Sequence, residues 1–154
     1  MKNVVLFCAL TGFTLGFAAR AGAQEDRGLW RAASTNARAI TSDIAISEAK
    51  LTIDFATFPL AQIRRLKPAE VSAVFDADVN AGIEGTLYRL RVPGAQRFEH
   101  KNTLCAGEDV QWMATYATGR TLNVVFFSGE TMPVFTFDAI QNTNALCGSF
   151  AYGR

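Results

Sequence analysis

The run TLNVVFFSG, Thr121 to Gly129, constrains the fold more than any other stretch of the chain. Leu122, Val124 and Phe126 share one parity, and Val125 and Phe127 share the other. Side chains alternate between the two faces of a strand, so this strand is apolar on both. Such a strand is normally covered on both faces. A sheet with one wet side cannot hold it. Its neighbours alternate more simply. In TLYRLRV, Tyr88, Leu90 and Val92 face one way and Arg89 and Arg91 the other; in VQWMATY, Val110, Trp112, Ala114 and Tyr116 lie together. That period of two predicts half-buried strands. VFTF and CGSFAY predict two more. Gly119, Gly129 and Asn142-Thr143-Asn144 mark turns.

Upstream, Ile40, Ile44 and Ile46 share a parity in AITSDIAIS. Leu51, Ile53 and Phe55 share a face in KLTIDFATF, opposite Thr52, Asp54 and Ala56. Two strands are expected here, turning at Ser47-Glu48-Ala49. Pro68 suits a first helical turn, Glu70 favours the dipole there, and Val71, Val74 and Phe75 form one apolar face. A short helix over 68–75, ending near Asp76, follows. That helix, or the N-terminal lead-in, could cover the outer face of the 121–129 strand. Residues 24–38 are polar apart from Leu29 and Trp30 and are expected as a loose lead-in to a single β-rich domain, 39–154. The expected fold is mainly β: a compact antiparallel barrel or sandwich of about seven to eight short strands with one short helix. A barrel of this size holds packed side chains or one small ligand, and the sequence does not choose between them.

The chain opens with Lys2 and an apolar run from Val4 to Ala19. Ala21-Gly22-Ala23 then gives the small-x-small pattern of a signal-peptidase site. The run is short of the ~20 residues a membrane span needs. A secretory signal over residues 1–23, cut after Ala23, is expected, with an uncleaved anchor as the rival. Cys8 lies within the run. The destination is the periplasm or the exterior, with no transmembrane segment after cleavage. The chain carries 15 basic and 14 acidic side chains. Without Lys2 and Arg20 it is nearly neutral and has no basic block, which argues against a nucleic-acid partner. Cys105 and Cys147 remain. An even pair in an exported chain predicts a disulfide. A zinc site is the rival, and two distant cysteines with the single His100 cannot fill its shell without carboxylates.

The segments KNTLCAGEDVQWMATY, FFSGETMPVF and LCGSFAYGR resemble a family of small exported bacterial proteins of unknown function. The resemblance spans most of the mature chain. It implies export and the Cys105–Cys147 pairing, and brings no catalytic residue. Gly28-Leu29-Trp30 is similar to the Gly-x-Trp at the first strand of lipocalin-like barrels, where the Trp closes the barrel bottom.

Candidate chemistry is sparse. Asp76, Asp78, Asn80 and Glu84 sit in a stretch that looks like the start of a calcium loop. Position six is Ala81, where a sharp turn wants Gly, and position twelve is Leu87, where a bidentate carboxylate is needed. A helix end followed by a turn explains the same Asp, Asn and Gly residues. Ser128 lacks the upstream glycine of a nucleophile elbow. His100 has no nominated partner for base catalysis and reads as a loop histidine. Carboxylates gathered only by the fold stay open. Among the C-terminal aromatics, Trp112 and Tyr116 are the candidates for lining a ligand cavity, because each carries a polar tip that needs a partner. No cofactor is expected. The sequence favours a non-enzymatic binding or interaction module of the cell envelope. Its partner would be a small apolar ligand or an envelope protein, a hydrolase to be inhibited among them. The alternative is an envelope hydrolase using carboxylates or calcium.

Overall fold

The computed structural model describes residues 26–154. The expected signal sequence, Cys8 and the cut after Ala23 lie outside these residues. Eight antiparallel strands close into a barrel in which each strand pairs with its sequence neighbours and β1 pairs with β8. They are β1 Gly28–Ala32, β2 Ile44–Ile46, β3 Lys50–Ile53, β4 Ala56–Leu66, β5 Gly85–Val92, β6 Val110–Thr118, β7 Thr121–Ser128 and β8 Leu146–Gly153. Of the barrel and sandwich alternatives, the barrel is therefore the one adopted. The helix over 68–75 is present as α1, Pro68–Phe75. A second short helix, α2, spans Phe137–Asn142.

The interior is filled by side chains. Trp30, Ile44, Leu51, Ile53, Phe126 and Tyr152 are fully or almost fully buried within one contiguous apolar cluster. An eight-stranded barrel has an interior just wide enough for such a filling. A second cluster lies outside the wall. Leu66, Val71, Leu87, Trp112, Ala114, Tyr116, Val125, Phe127 and Phe135 pack there. It answers the two-sided strand: Leu122, Val124 and Phe126 of β7 point into the barrel, while Val125 and Phe127 are covered from outside by α1, α2 and the loop holding Phe135. Gly85 lets the layers close, because a Cβ there would lie 2.6 Å from the Thr115 carbonyl oxygen.

Three expectations give way. Residues 24–38 are not merely a loose lead-in, since Gly28–Ala32 is the strand that closes the barrel. Ile40 lies not in a strand but in a single π-helical turn, Ala37–Thr41, so the strand shrinks to Ile44–Ile46. VFTF is no strand: residues 134–136 form a loop and Phe137 opens α2, with the Thr136 hydroxyl accepting the Ala139 N–H at 3.3 Å as N-cap.

Candidate functional site

β4, β5 and β6 change register at Gln62/Arg64, Arg89/Val92 and Val110/Trp112. Such irregularities bend strands and increase local twist. On the outer wall beside them lies a cleft of roughly 570 Å³, lined by Pro59, Ala61, Arg89, Arg91, Asp109, Gln111 and Glu130. The outward parity of Arg89 and Arg91 on β5 places both there.

A stack of rings and cations fixes the arginine. Trp112 is the direct cross-strand partner of Arg89 on one side and of Phe127 on the other. The Arg89 guanidinium sits 4.4 Å from the centroid of the indole. Phe127 meets Phe135 edge-on at 6.0 Å, and Arg64 lies 5.7 Å from the Phe135 ring. The row reads cation, three aromatics, cation. The Trp112 Nε1–H donates to the Gly129 carbonyl at 3.1 Å. One Arg89 terminal nitrogen donates to the Glu130 carbonyl at 3.2 Å, and the other donates to Gln111 Oε1.

Arg89 thus has its orientation set by neutral groups. Among the described residues no carboxylate lies within ion-pair distance of it. A guanidinium has five N–H donors in a planar fork. Two are engaged, so donors remain for an oxyanion. Arg91 differs. It is largely exposed and paired with Asp109 at 3.2 Å. The Gly94 N–H, at 2.9 Å, and then Arg91 hold the Asp109 carboxyl below the usual carboxylate range.

Trp112 and Tyr116 share a face, as expected, but it is the outer one. They do not line a barrel cavity. Both are buried in the outer layer, where Tyr116 meets Phe75 at 5.6 Å. The Asp76–Glu84 stretch is built as a turn. Asp76 is the left-handed C-cap of α1, and Asp78 accepts the Asn80 N–H at 2.9 Å to cap a single 3-10 turn over Val79–Ala81. Glu84 is engaged by Arg65 at 3.1 Å. Among the described residues no group of three potential metal ligands forms. The Cys105–Cys147 disulfide is present and ties the β5–β6 connection to the start of β8. His100 is exposed beside Glu99, and the Ser128 hydroxyl points at the Ala145 carbonyl.

Two residues escaped the sequence. Arg89 reads as one of two solvent-facing arginines, and only its register against Trp112 sets it apart. Asp26 reads as part of a polar leader. It is buried, and its Oδ2 accepts the Tyr88 hydroxyl at 2.6 Å and the Thr115 hydroxyl at 2.7 Å. Burial, and then the Asp26 carboxylate, push the Tyr88 phenol upward. Compared with protein-family models, curated proteins and solved structures, the chain matches none.

Proposed function

We propose that this protein is an exported, non-enzymatic binding module of the cell envelope that uses its outer wall, not its barrel interior, to hold a partner. The observation that carries this reading is the contrast between an interior packed with side chains and a wall cleft holding a pre-oriented arginine. A small apolar ligand inside the barrel is thereby disfavoured, and a ligand or envelope protein engaged at the wall is favoured. The hydrolase alternative would draw on Asp109 and Glu130, which both line the cleft. Asp109 is poorly suited to donate a proton, because its anionic form is the one stabilised by Gly94 and Arg91.

Photo-crosslinking in living cells tests the reading. A benzophenone side chain at Ala61, inside the cleft, should capture a discrete envelope partner or bound molecule. The same group at Thr118, an exposed position at the β6–β7 turn away from the cleft, should not. Equal capture at both positions, or none at either, would sink it. Mass analysis of the envelope form should show a chain starting at or near Gln24.

A further inference from the structure

We propose that the Arg89 cleft is a carboxylate-binding site, specific for a ligand that ends in a free carboxylate beside a small apolar group. This rests on the wall being the binding face, and it names the chemistry taken there. Three observations converge. First, the guanidinium is held in place before any ligand arrives, between the Trp112 face, the Glu130 carbonyl and Gln111 Oε1. Ordering a free arginine would cost side-chain entropy on binding, and here most of that cost is already met by the fold. Second, it is a cation without a carboxylate partner among the described residues, unlike Arg64, Arg65 and Arg91. Its planar fork matches a carboxylate with two parallel hydrogen bonds. Third, the neighbouring lining of Pro59 and Ala61 is apolar and small, which leaves room for a short side chain next to the charge.

Asp109 and Glu130 narrow the choice. Two acidic residues in the lining oppose a multiply charged anion such as phosphate. They tolerate a single negative charge whose own chain runs past them. An extended peptide terminus fits that description, and so does a small organic acid.

The test is an NMR titration of the full mature chain with N-acetyl-dialanine, with the same peptide as its C-terminal amide, and with inorganic phosphate. Lactate, as a small organic acid, separates the two carboxylate sources. The free-carboxylate peptide should shift the Arg89 Nε–H, the Trp112 indole N–H and the Gln111 amide in a saturable way. The amide should bind at least about tenfold more weakly, since a charge-assisted pair is lost. Lactate binding as tightly as the peptide would assign the site to small acids, and clearly weaker lactate binding to peptide ends. R89Q should abolish the shifts. R89K keeps the charge without the fork and should lose most of the affinity, while R91Q should cost only a few-fold through the local field. Equal binding of peptide and amide, tighter binding of phosphate, or no saturable shift with any probe would overturn the proposal. Folding of each variant is checked by the dispersion of its amide spectrum. If R89Q unfolds, R89K decides, and a folded R89K that binds like the parent refutes the role of the fork. Capture at Ala61 without peptide binding would leave the wall as the binding face and remove only the carboxylate.

Discussion

Trp112 and Phe55 are both large aromatics in or beside strands, and they sit at opposite extremes. Trp112 is 7 % exposed, with Arg89 over one face, Phe127 beside it and its N–H bonded to Gly129. Trp112→Ala should cost about 3–5 kcal/mol, as other large-to-small aromatic changes do. Trp112→Phe should be much milder. A loss under about 1 kcal/mol for the alanine variant in urea denaturation would show that the outer layer contributes little. Phe55 is 97 % exposed at the β3–β4 turn. Asp54 and Phe55 both take positive φ, 43° and 66°. That is the pattern of a type I′ hairpin turn, in which glycine is favoured at the second position. A non-glycine residue in the left-handed region costs about 1–2 kcal/mol, partly offset by glycine's larger entropy loss on folding. Phe55→Gly should therefore stabilise the protein by about 0.5–1 kcal/mol. An unchanged or lower denaturation midpoint would show that the turn is not strained. The alternation in KLTIDFATF grouped Phe55 with buried Leu51 and Ile53. Parity cannot show where a strand ends and its turn begins.

Elements were legible where their own residues carried the signal. α1 is the clearest case, because Pro68, Glu70 and the 71, 74, 75 spacing are local facts. β1 and α2 were not. β1 is five residues long with a single buried side chain, Trp30, so no period can be read from it. The strand exists because closure needs a partner for both β2 and β8. α2 is too short to show a helical period, and its cues are only Thr136 as N-cap and Asp138 in the first turn. The site was half legible: Trp112 could be named from its face, whereas the arginine facing it needed the β5–β6 register. At α1 the structure adds an electrostatic prediction. The Glu70 carboxylate accepts from Arg64 through both oxygens, at 2.8 and 2.7 Å, and from the Lys67 N–H at 2.9 Å. The Arg64 hydrogen bonds are the main reason that its pKa is lowered. A lowered carboxylate pKa contributes stability above the unfolded value, about 4.3, and loses it as pH falls through the folded value. Both side chains are partly exposed, so the contribution is discounted to about 1 kcal/mol at neutral pH. Glu70→Gln should be less stable than the parent at pH 7, and the gap should begin to close below about pH 4.3. A gap that stays constant on acidification would show that the ion pair contributes nothing.

At the scale of the whole molecule, the barrel has one short seam. β1 and β8 share only two register pairs, Arg31↔Gly153 and Ala32↔Tyr152. Side-chain contacts reinforce the closure. The Arg154 guanidinium lies 4.3 Å from the Trp30 ring, and the Trp30 indole N–H donates to the Asp26 carbonyl at 2.9 Å. The Asp26 side chain then binds Tyr88 of β5 and Thr115 of β6, partners 62 and 89 residues away. A residue just ahead of β1 is thus pinned to the far wall. No local pattern could have announced it, because a polar leader and a buried acceptor look alike until the fold brings the hydroxyls in. Asp26→Ala removes the acceptor and strands two donor hydroxyls. An unsatisfied buried group costs about 1–3 kcal/mol, so a total loss of about 2–6 kcal/mol is expected for the two. Asp26→Asn keeps one carbonyl oxygen facing both hydroxyls and should lose less. Hydrogen exchange localises the effect. In Asp26→Ala the amides of β1 and of the Tyr152–Gly153 end of β8 should exchange well before those of β6 and β7, since only two register pairs hold the seam whereas β6 and β7 pair along most of their length. If β1 instead stays as protected as β7 while global stability falls, the barrel opens only as one unit, and Asp26 supports the core rather than the seam.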